Sequence, residues 1–290
     1  LAGRAALALA PVAANLGAAA LPLVGTLVTP PRREADGGTL NDAAKTVPRT
    51  SFNKAITPHR RVAFQSLSLD EAKGIKNPFG VTVNDVVMAV CAGALRRWLI
   101  DHEELPAEPL VAMVPVSVRT ESEKGSLGNK VSSMFAPLAT DVADPVERLQ
   151  AVHEAMAAAK DEFKAMPAEL LQEYSQFATP ALAARASRAF ARLKVAERIN
   201  LPCNLVISNI PGPNFPLWCL GAKMVASYPV STIVDGVGLN ITVMSYMADL
   251  NFGLVACREL VPDLWSLADH LADSQAELAK AAKPTIKRQR

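Results

Sequence analysis

Asn204-Leu-Val-Ile-Ser-Asn-Ile-Pro-Gly-Pro213 reads as a buried strand that runs directly into a rigid Pro-Gly-Pro turn. A strand needs no polar ending merely to stop. Ser208 and Asn209, carried at the start of that stiff turn, therefore read as a place where a substrate can be held. Some thirty residues on, Leu239-Asn-Ile-Thr-Val-Met-Ser-Tyr246 alternates in the same half-apolar way. Asn240 and Thr242 share one face of it with Met244 and Tyr246, and Leu239, Ile241 and Val243 take the other. A polar pair midway along a buried strand needs hydrogen-bond partners or a wet cavity.

Outward from these strands, the elements mix without strict alternation. Arg60 to Leu69 reads as a strand, Asp70 to Lys76 as a short helix, and Asn77-Pro-Phe-Gly80 as a turn. Thr82 is the N-cap of the clearest helix, with Asp85 three residues later in a variant capping box. Val83, Val86, Val87, Val90, Ala94 and Trp98 then fall on one helical face. Leu110 to Val118 and Asn129 to Leu138 are strands. Asp144-Pro145 opens a long helix, whose pattern continues, broken near Pro167 and Pro180, to about Arg198. Strands follow near Cys203–Asn209, Lys223–Val230, Val237–Tyr246 and Asp249–Ala256. The last helix starts after Pro262-Asp263 and buries Leu264, Leu267, Leu271 and Leu278. This pattern predicts an α/β fold: a sheet of mixed direction flanked by helices. The expected divisions are a helical remnant over 1–28, a linker or crossing loop over 29–58, the main domain over 59–282 and a basic tail over 283–290.

Composition narrows the function. Half of the 290 residues are apolar and the net charge is +2, which gives a core but no footprint for nucleic acid. Cys91, Cys203, Cys219 and Cys257 lie in apolar runs without metal spacing and read as reduced core residues of a cytoplasmic protein. No metal site is expected. Ala5 to Pro31 carries no charge, but Pro11, Pro22 and three polar or glycine breaks argue against a membrane span. A chain that starts at Leu1 reads as an internal or C-terminal piece of a longer protein.

Catalytic signatures are missing. His59, His102, His153 and His270 lack partners at metal spacing and read as surface or helix residues. There is no G-x-S-x-G elbow and no phosphate-binding loop. Asp85 completes a cap on one reading. On another, Asn84 and Asp85 brace the wall of an active site. Arg119 with Asn129 brackets a loop between strands, and Arg119 could equally pair with Glu121 or Glu123.

Five motifs stand in register: Asn84-Asp-Val-Val-Met-Ala-Val-Cys-Ala-Gly-Ala-Leu95; Pro115-Val-Ser-Val-Arg119 with Gly128-Asn129; Ser208-Asn-Ile-Pro-Gly-Pro213; Leu239 to Tyr246; and Asn251-Phe-Gly-Leu-Val-Ala256 with Val261-Pro-Asp263. Over roughly residues 50–282 the chain resembles the C-terminal half of the bacterial wax ester synthase/diacylglycerol acyltransferase family, especially its mycobacterial triacylglycerol synthases. The resemblance implies one half of a two-lobed CoA-dependent acyltransferase-like fold, with a tunnel between the halves. It implies acyl transfer from acyl-CoA, as co-substrate and with no other cofactor, to diacylglycerol or a long-chain alcohol. The family's His-His-x-x-x-Asp-Gly signature is absent from this chain, so the catalytic residues are expected in an N-terminal half. Met247-Ala248 and Cys257 also depart from the family pattern and bear on subfamily. The resemblance makes Asn84, Asp85, Arg119, Asn129, Ser208, Asn209, Pro211, Gly212, Asn240 and Thr242 tunnel-lining or supporting residues. Attachment to the inner membrane or to lipid droplets is expected. Two other readings stay open: a non-catalytic subunit that shapes a lipid tunnel, and a condensation-type enzyme with a glycolipid acceptor.

Overall fold

The protein is described by a computed structural model covering residues 47–117, 131–165, 192–193, 198 and 200–283. Six strands form the main sheet: β1 (Arg60–Ser68), β2 (Val111–Ser117), β3 (Val131–Pro137), β4 (Leu205–Ile210), β7 (Leu239–Tyr246) and β8 (Asp249–Cys257). Their order is β1-β8-β7-β4-β2-β3. Central β4 is parallel to both β2 and β7, and the outer pairings are antiparallel. The sheet is therefore mixed, as the sequence predicts. A separate two-stranded ribbon, β5 (Trp218–Cys219) and β6 (Ala222–Lys223), stands apart from it.

Register assigns the faces. Ala63, Leu254, Ile241 and Ile207 form one cross-strand row, and Gln65, Phe252, Val243 and Asn209 form the next row on that face. Helices α1 (Leu69–Phe79), α2 (Val83–Asp101), α3 (Pro145–Ala165) and α4 (Leu264–Ala282) share a single core with these apolar residues. α2 is the innermost helix, buried almost all round from Asp85 to Leu95. Gly93 allows α4 to approach it: a Cβ there would lie 2.2 Å from Ser274 Oγ. The opposite face of the sheet is covered by residues 224–234. Pro229 lies directly on Gly253, where a Cβ would sit 1.7 Å from the proline carbonyl oxygen. β8 is consequently buried on both faces from Leu250 onward.

Predicted helix starts agree with the structure. Asp144 Oδ1 accepts from the N–H groups of Val146 and Glu147 at 2.9 Å each. α4 begins after Asp263, whose carboxylate is turned to Trp98 Nε1 and His102 Nε2, both at 3.2 Å.

Several expectations change. Asn77 to Phe79 are helical rather than a turn; Pro78 fits in the last turn of α1, which Gly80 closes at φ 68°. The strand expected over Lys223–Val230 is only Ala222–Lys223, because the chain then leaves the ribbon to lie across the sheet. Cys219 is exposed on the ribbon, whereas Cys91, Cys203 and Cys257 are buried as expected. The described part of the expected linker, from Val47 onward, is clamped: Phe52 is buried against Trp98, and Asn53 Nδ2 donates to the carbonyls of Asn204 and Gly236. The expected helical remnant over 1–28, the basic tail beyond residue 283, and most of the helical pattern expected after Pro167 lie outside the described residues.

Candidate functional site

The site is built at the end of β4, where the helix face of the sheet meets the first turn of α2. The Asp85 N–H donates to Thr82 Oγ1 at 3.2 Å, and the Thr82 N–H donates to Asp85 Oδ2 at 2.9 Å. This reciprocal capping box satisfies two backbone donors, and the carboxylate is favoured by the positive end of the helix. Asp85 is only 1% exposed. Its Oδ2 also meets His153 Nδ1 of α3 at 2.8 Å, and its buried Oδ1 has no hydrogen-bond partner among the described residues. Asp85 therefore caps α2, and the same carboxylate ties that helix to α3 through His153.

Asn84, beside it, faces the sheet. Asn209 Nδ2 donates to Asn84 Oδ1 at 3.2 Å, which bridges the end of β4 to the start of α2. The turn that follows is fixed in place. Gly212 N–H donates to Ser245 Oγ at 2.9 Å, and a Cβ at Gly212 would lie 2.0 Å from the Ser245 carbonyl oxygen. The Met247 N–H reaches the Pro213 carbonyl at 3.1 Å. Only glycine lets the turn lie this close to β7. Pro211, exposed, carries the chain out of the strand.

The structure separates residues that the sequence grouped. Ser208 and Asn209 lie within β4, not on the turn, and alternation sends them to opposite faces. Ser208 is aligned with Thr242 and Gly253 on the face beneath the 224–234 segment. Asn240 and Thr242 are there as well, both buried, with Thr242 Oγ1 donating to Asn240 Oδ1 at 2.8 Å. Their hydrogen-bond need is thus met in part by each other. Asn84, Asp85, Asn209 and Gly212 converge at one end of the sheet. Arg119 and Asn129 lie outside the described residues.

The sequence reads His153 as a helix residue on or near a polar face, not as part of the site. Its signal is weak but present: it stands next to Val152 and one turn from Leu149 and Met156, at the margin of the buried stripe of α3.

All four histidines engage carboxylates. His59 pairs with Glu259 at 2.8 Å, His102 with Asp263 at 3.2 Å, His153 with Asp85 at 2.8 Å and His270 with Asp101 at 2.9 Å. Among the described residues no group of His, Cys, Asp or Glu could hold a metal ion. Burial pushes the Cys91 and Cys203 thiols up to about 12, far from a reactive thiolate. What the cluster offers is the amide groups of Asn84 and Asn209 beside the His153–Asp85 pair, held on a rigid frame.

The architecture is that of the condensation-type acyltransferase fold. A cyclization-docking bidomain from Sorangium cellulosum superimposes with a TM-score of 0.50 at 17% identity over 85% of this chain and 48% of that one, a likeness of fold alone. More specific is the wax ester synthase/diacylglycerol acyltransferase from Marinobacter aquaeolei, with a TM-score of 0.63 and 35% identity over 84% of this chain and 55% of that chain.

The chain belongs to the wax ester synthase/diacylglycerol acyltransferase family. The family's C-terminal domain matches residues 127–279, and its catalytic domain matches residues 7–87. A Mycobacterium tuberculosis relative named for diacylglycerol O-acyltransferase is 37% identical over 265 residues, 91% of this chain and 51% of its own. The O-acyltransferase WSD of Acinetobacter baylyi is 38% identical over 226 residues, 78% of this chain and 48% of its own. The chain spans about half the length of the curated relatives it matches.

Proposed function

We propose that this chain is the C-terminal half of an O-acyltransferase that moves an acyl group from acyl-CoA to diacylglycerol or a long-chain alcohol, giving triacylglycerol or wax ester. The observation that carries this reading is the presence of both family domains on one chain, in order, with only residues 7–87 matching the catalytic one. The rest of the catalytic domain would come from the half that this chain lacks relative to its relatives.

In the reaction, a base in that other half takes the proton of the acceptor hydroxyl as its oxygen attacks the thioester carbonyl. The carbon–sulfur bond breaks, and the CoA thiolate leaves with a proton. The thioester is already activated, so positioning supplies much of the rate. Asn209 and Asn84 would hold this half of the tunnel wall, with Asp85 and His153 fixing the helix that carries Asn84. Ser208, Asn240 and Thr242 would shape the sheet face beneath the 224–234 segment, and Arg119 with Asn129 are proposed as tunnel-lining or supporting residues. The absence of the His-His-x-x-x-Asp-Gly signature from this sequence supports a base outside this chain. The enzyme is proposed to work at a membrane or droplet surface, where an apolar product can leave. Among the described residues no single helix is long and apolar enough to cross a membrane.

The test co-expresses residues 1–290 with the preceding half of the mycobacterial relative and supplies labelled palmitoyl-CoA with diolein or hexadecanol. Labelled triacylglycerol or wax ester from the pair, and none from 1–290 alone, is the expected result. Turnover by 1–290 alone would overturn the assignment of the base. Product with a glycolipid acceptor only would replace the acceptor class.

A further inference from the structure

The stretch from Arg49 to Arg61 carries Arg49, Lys54, Arg60 and Arg61 with His59, and no acid. Two of these cations, Arg49 and Lys54, are exposed and line a cleft of about 400 Å³ together with Thr50 and Asn53. That volume suits a small-molecule ligand, and no carboxylate belongs to the lining. An adjoining recess shares Arg49 and Asn53 and adds the apolar Val47, Pro48 and Leu201. Three carboxylates from other elements meet this stretch, and each is engaged. Glu104 Oε2 accepts from the Ser51 N–H at 3.1 Å, and Asp235 Oδ1 accepts from the Ile56 N–H at 2.9 Å. Glu259 is held by Thr57, His59 and Arg258.

The loop that carries the two cations is held more firmly than an exposed turn requires. Asn53 Oδ1 accepts from the Thr50 hydroxyl at 2.7 Å and from Asn204 Nδ2 at 2.9 Å, and Asn204 Nδ2 also donates to the Pro48 carbonyl at 2.6 Å. The Gly236 and Gly238 N–H groups donate to the Lys54 and Phe52 carbonyls at 3.0 and 2.9 Å. A Cβ at Gly238 would lie 2.8 Å from the Phe52 carbonyl oxygen, so the strand start and the loop are in direct contact. Asn53 and Asn204 are both buried, and their amide groups are spent on tying this loop to the starts of β2, β4 and β7. The backbone beneath Arg49 and Lys54 is thus fixed before a ligand arrives, which lowers the ordering cost of binding.

We infer that the Arg49–Lys54 cleft takes the nucleotide phosphates of the acyl-CoA. The inference rests on the acyl-CoA reading proposed above. Charge selects this ligand first. The nucleotide end of CoA carries a diphosphate and a 3′-phosphate, and guanidinium and ammonium groups are the donors that bind such oxygens most strongly. Shape is the second argument: a recessed cleft with a fixed floor suits a discrete ligand, whereas a headgroup layer needs only a flat basic surface. Position is the third. The cleft lies at the start of β4, and the Asn84–Asn209 contact lies near its end. The run from Asn204 to Asn209 spans about 17 Å at the rise of a strand, a distance that an extended pantetheine arm covers. Phosphates in the cleft therefore leave the thioester within reach of that end of the sheet.

The experiment titrates residues 1–290, alone and co-expressed with the preceding half of the mycobacterial relative, with 3′,5′-ADP in a calorimeter. Expected is binding that weakens as salt rises, and that falls about tenfold or more in the combined Arg49→Gln and Lys54→Gln change, as loss of charged hydrogen bonds does. Lys54→Gln alone should give part of that loss with an unchanged melting curve, because its side chain is exposed. In the two-half enzyme the combined change should raise the KM for palmitoyl-CoA about tenfold, with a smaller change in kcat. Lys73→Gln, exposed on α1, should alter neither. Equal 3′,5′-ADP binding by wild type and both variants overturns the site, as does no binding by either preparation. Inorganic phosphate that binds as tightly as 3′,5′-ADP overturns it in favour of a general anion cleft. Variants that lose phosphatidylglycerol vesicles yet keep 3′,5′-ADP overturn it in favour of a lipid surface. Ester formation with an unaltered KM in the variants sinks the cleft and leaves the acyl-CoA reading standing. Variant-sensitive 3′,5′-ADP binding in a pair that makes no ester from palmitoyl-CoA sinks that reading and leaves a nucleotide-phosphate cleft.

Discussion

Asn209, the fifth residue of β4, donates its side-chain amide to Asn84, the second residue of α2, across a sequence separation of 125 residues. The bond joins two elements that are each rigid for other reasons. A neutral hydrogen bond of this kind contributes about 1 kcal/mol. Asn209→Ala in the reconstituted enzyme is therefore expected to lower the melting temperature only slightly, while turnover falls by a larger factor. Equal losses in rate and in folded fraction would make the residue purely structural. Asn84→Ala should behave alike, and the double change should be less than additive.

Gly253 gives a sharper test of the covering segment. A methyl group there meets the Pro229 carbonyl at 1.7 Å, and that atom belongs to backbone. Gly253→Ala should cost about 1 to 3 kcal/mol, the range for overpacking a filled space. It should also increase hydrogen exchange over 224–234 in preference to the helices. Uniform loss of protection would place the strain elsewhere.

Thiol chemistry checks the exposure of the ribbon. Cys219 is the exposed cysteine, while Cys91, Cys203 and Cys257 are buried. Native protein should give one fast equivalent with Ellman's reagent, and Cys219→Ser should remove it. A fast phase that survives the substitution would show a second accessible thiol.

Glu259 predicts an acid-side dependence. The Thr57 hydroxyl, followed by His59 and Arg258, stabilises its ionised form and lowers its pKa from 4.5 to about 2. A carboxylate held below its unfolded value stabilises the fold above pH 4.5, and that contribution is lost as pH falls toward 2. Glu259→Gln should lower stability near neutrality, where the ionised carboxylate contributes, and flatten the profile across this window so that the two proteins converge toward pH 2. An unaltered acid limb would assign the slope to other carboxylates.

Much of this was readable from residue order alone. The helix starts at Thr82, Asp144 and Asp263, the buried leucines of α4 and the mixed sheet all follow from local patterns. Ser208 and Asn209 fall within the strand read near Cys203–Asn209, which ends at Ile210, although the sequence groups them as one polar pair at the turn. Their assignment to opposite faces needs the register. His153 was read as a helix surface residue, since nothing local links it to Asp85, 68 residues away. The sequence reads Lys223–Val230 as a strand, yet pairing stops at Lys223 and the chain then lies across Gly253, which is a tertiary contact.

The outermost pairing carries a consequence for biosynthesis. Among the described residues, β1 at Arg60–Ser68 pairs with β8 at Asp249–Cys257. Nearly two hundred residues must leave the ribosome before that strand finds its neighbour, and such distant closure is slow. A nascent chain arrested before residue 249 would display a long bare edge, so chaperone demand and aggregation of truncated products should rise steeply for stops upstream of that point.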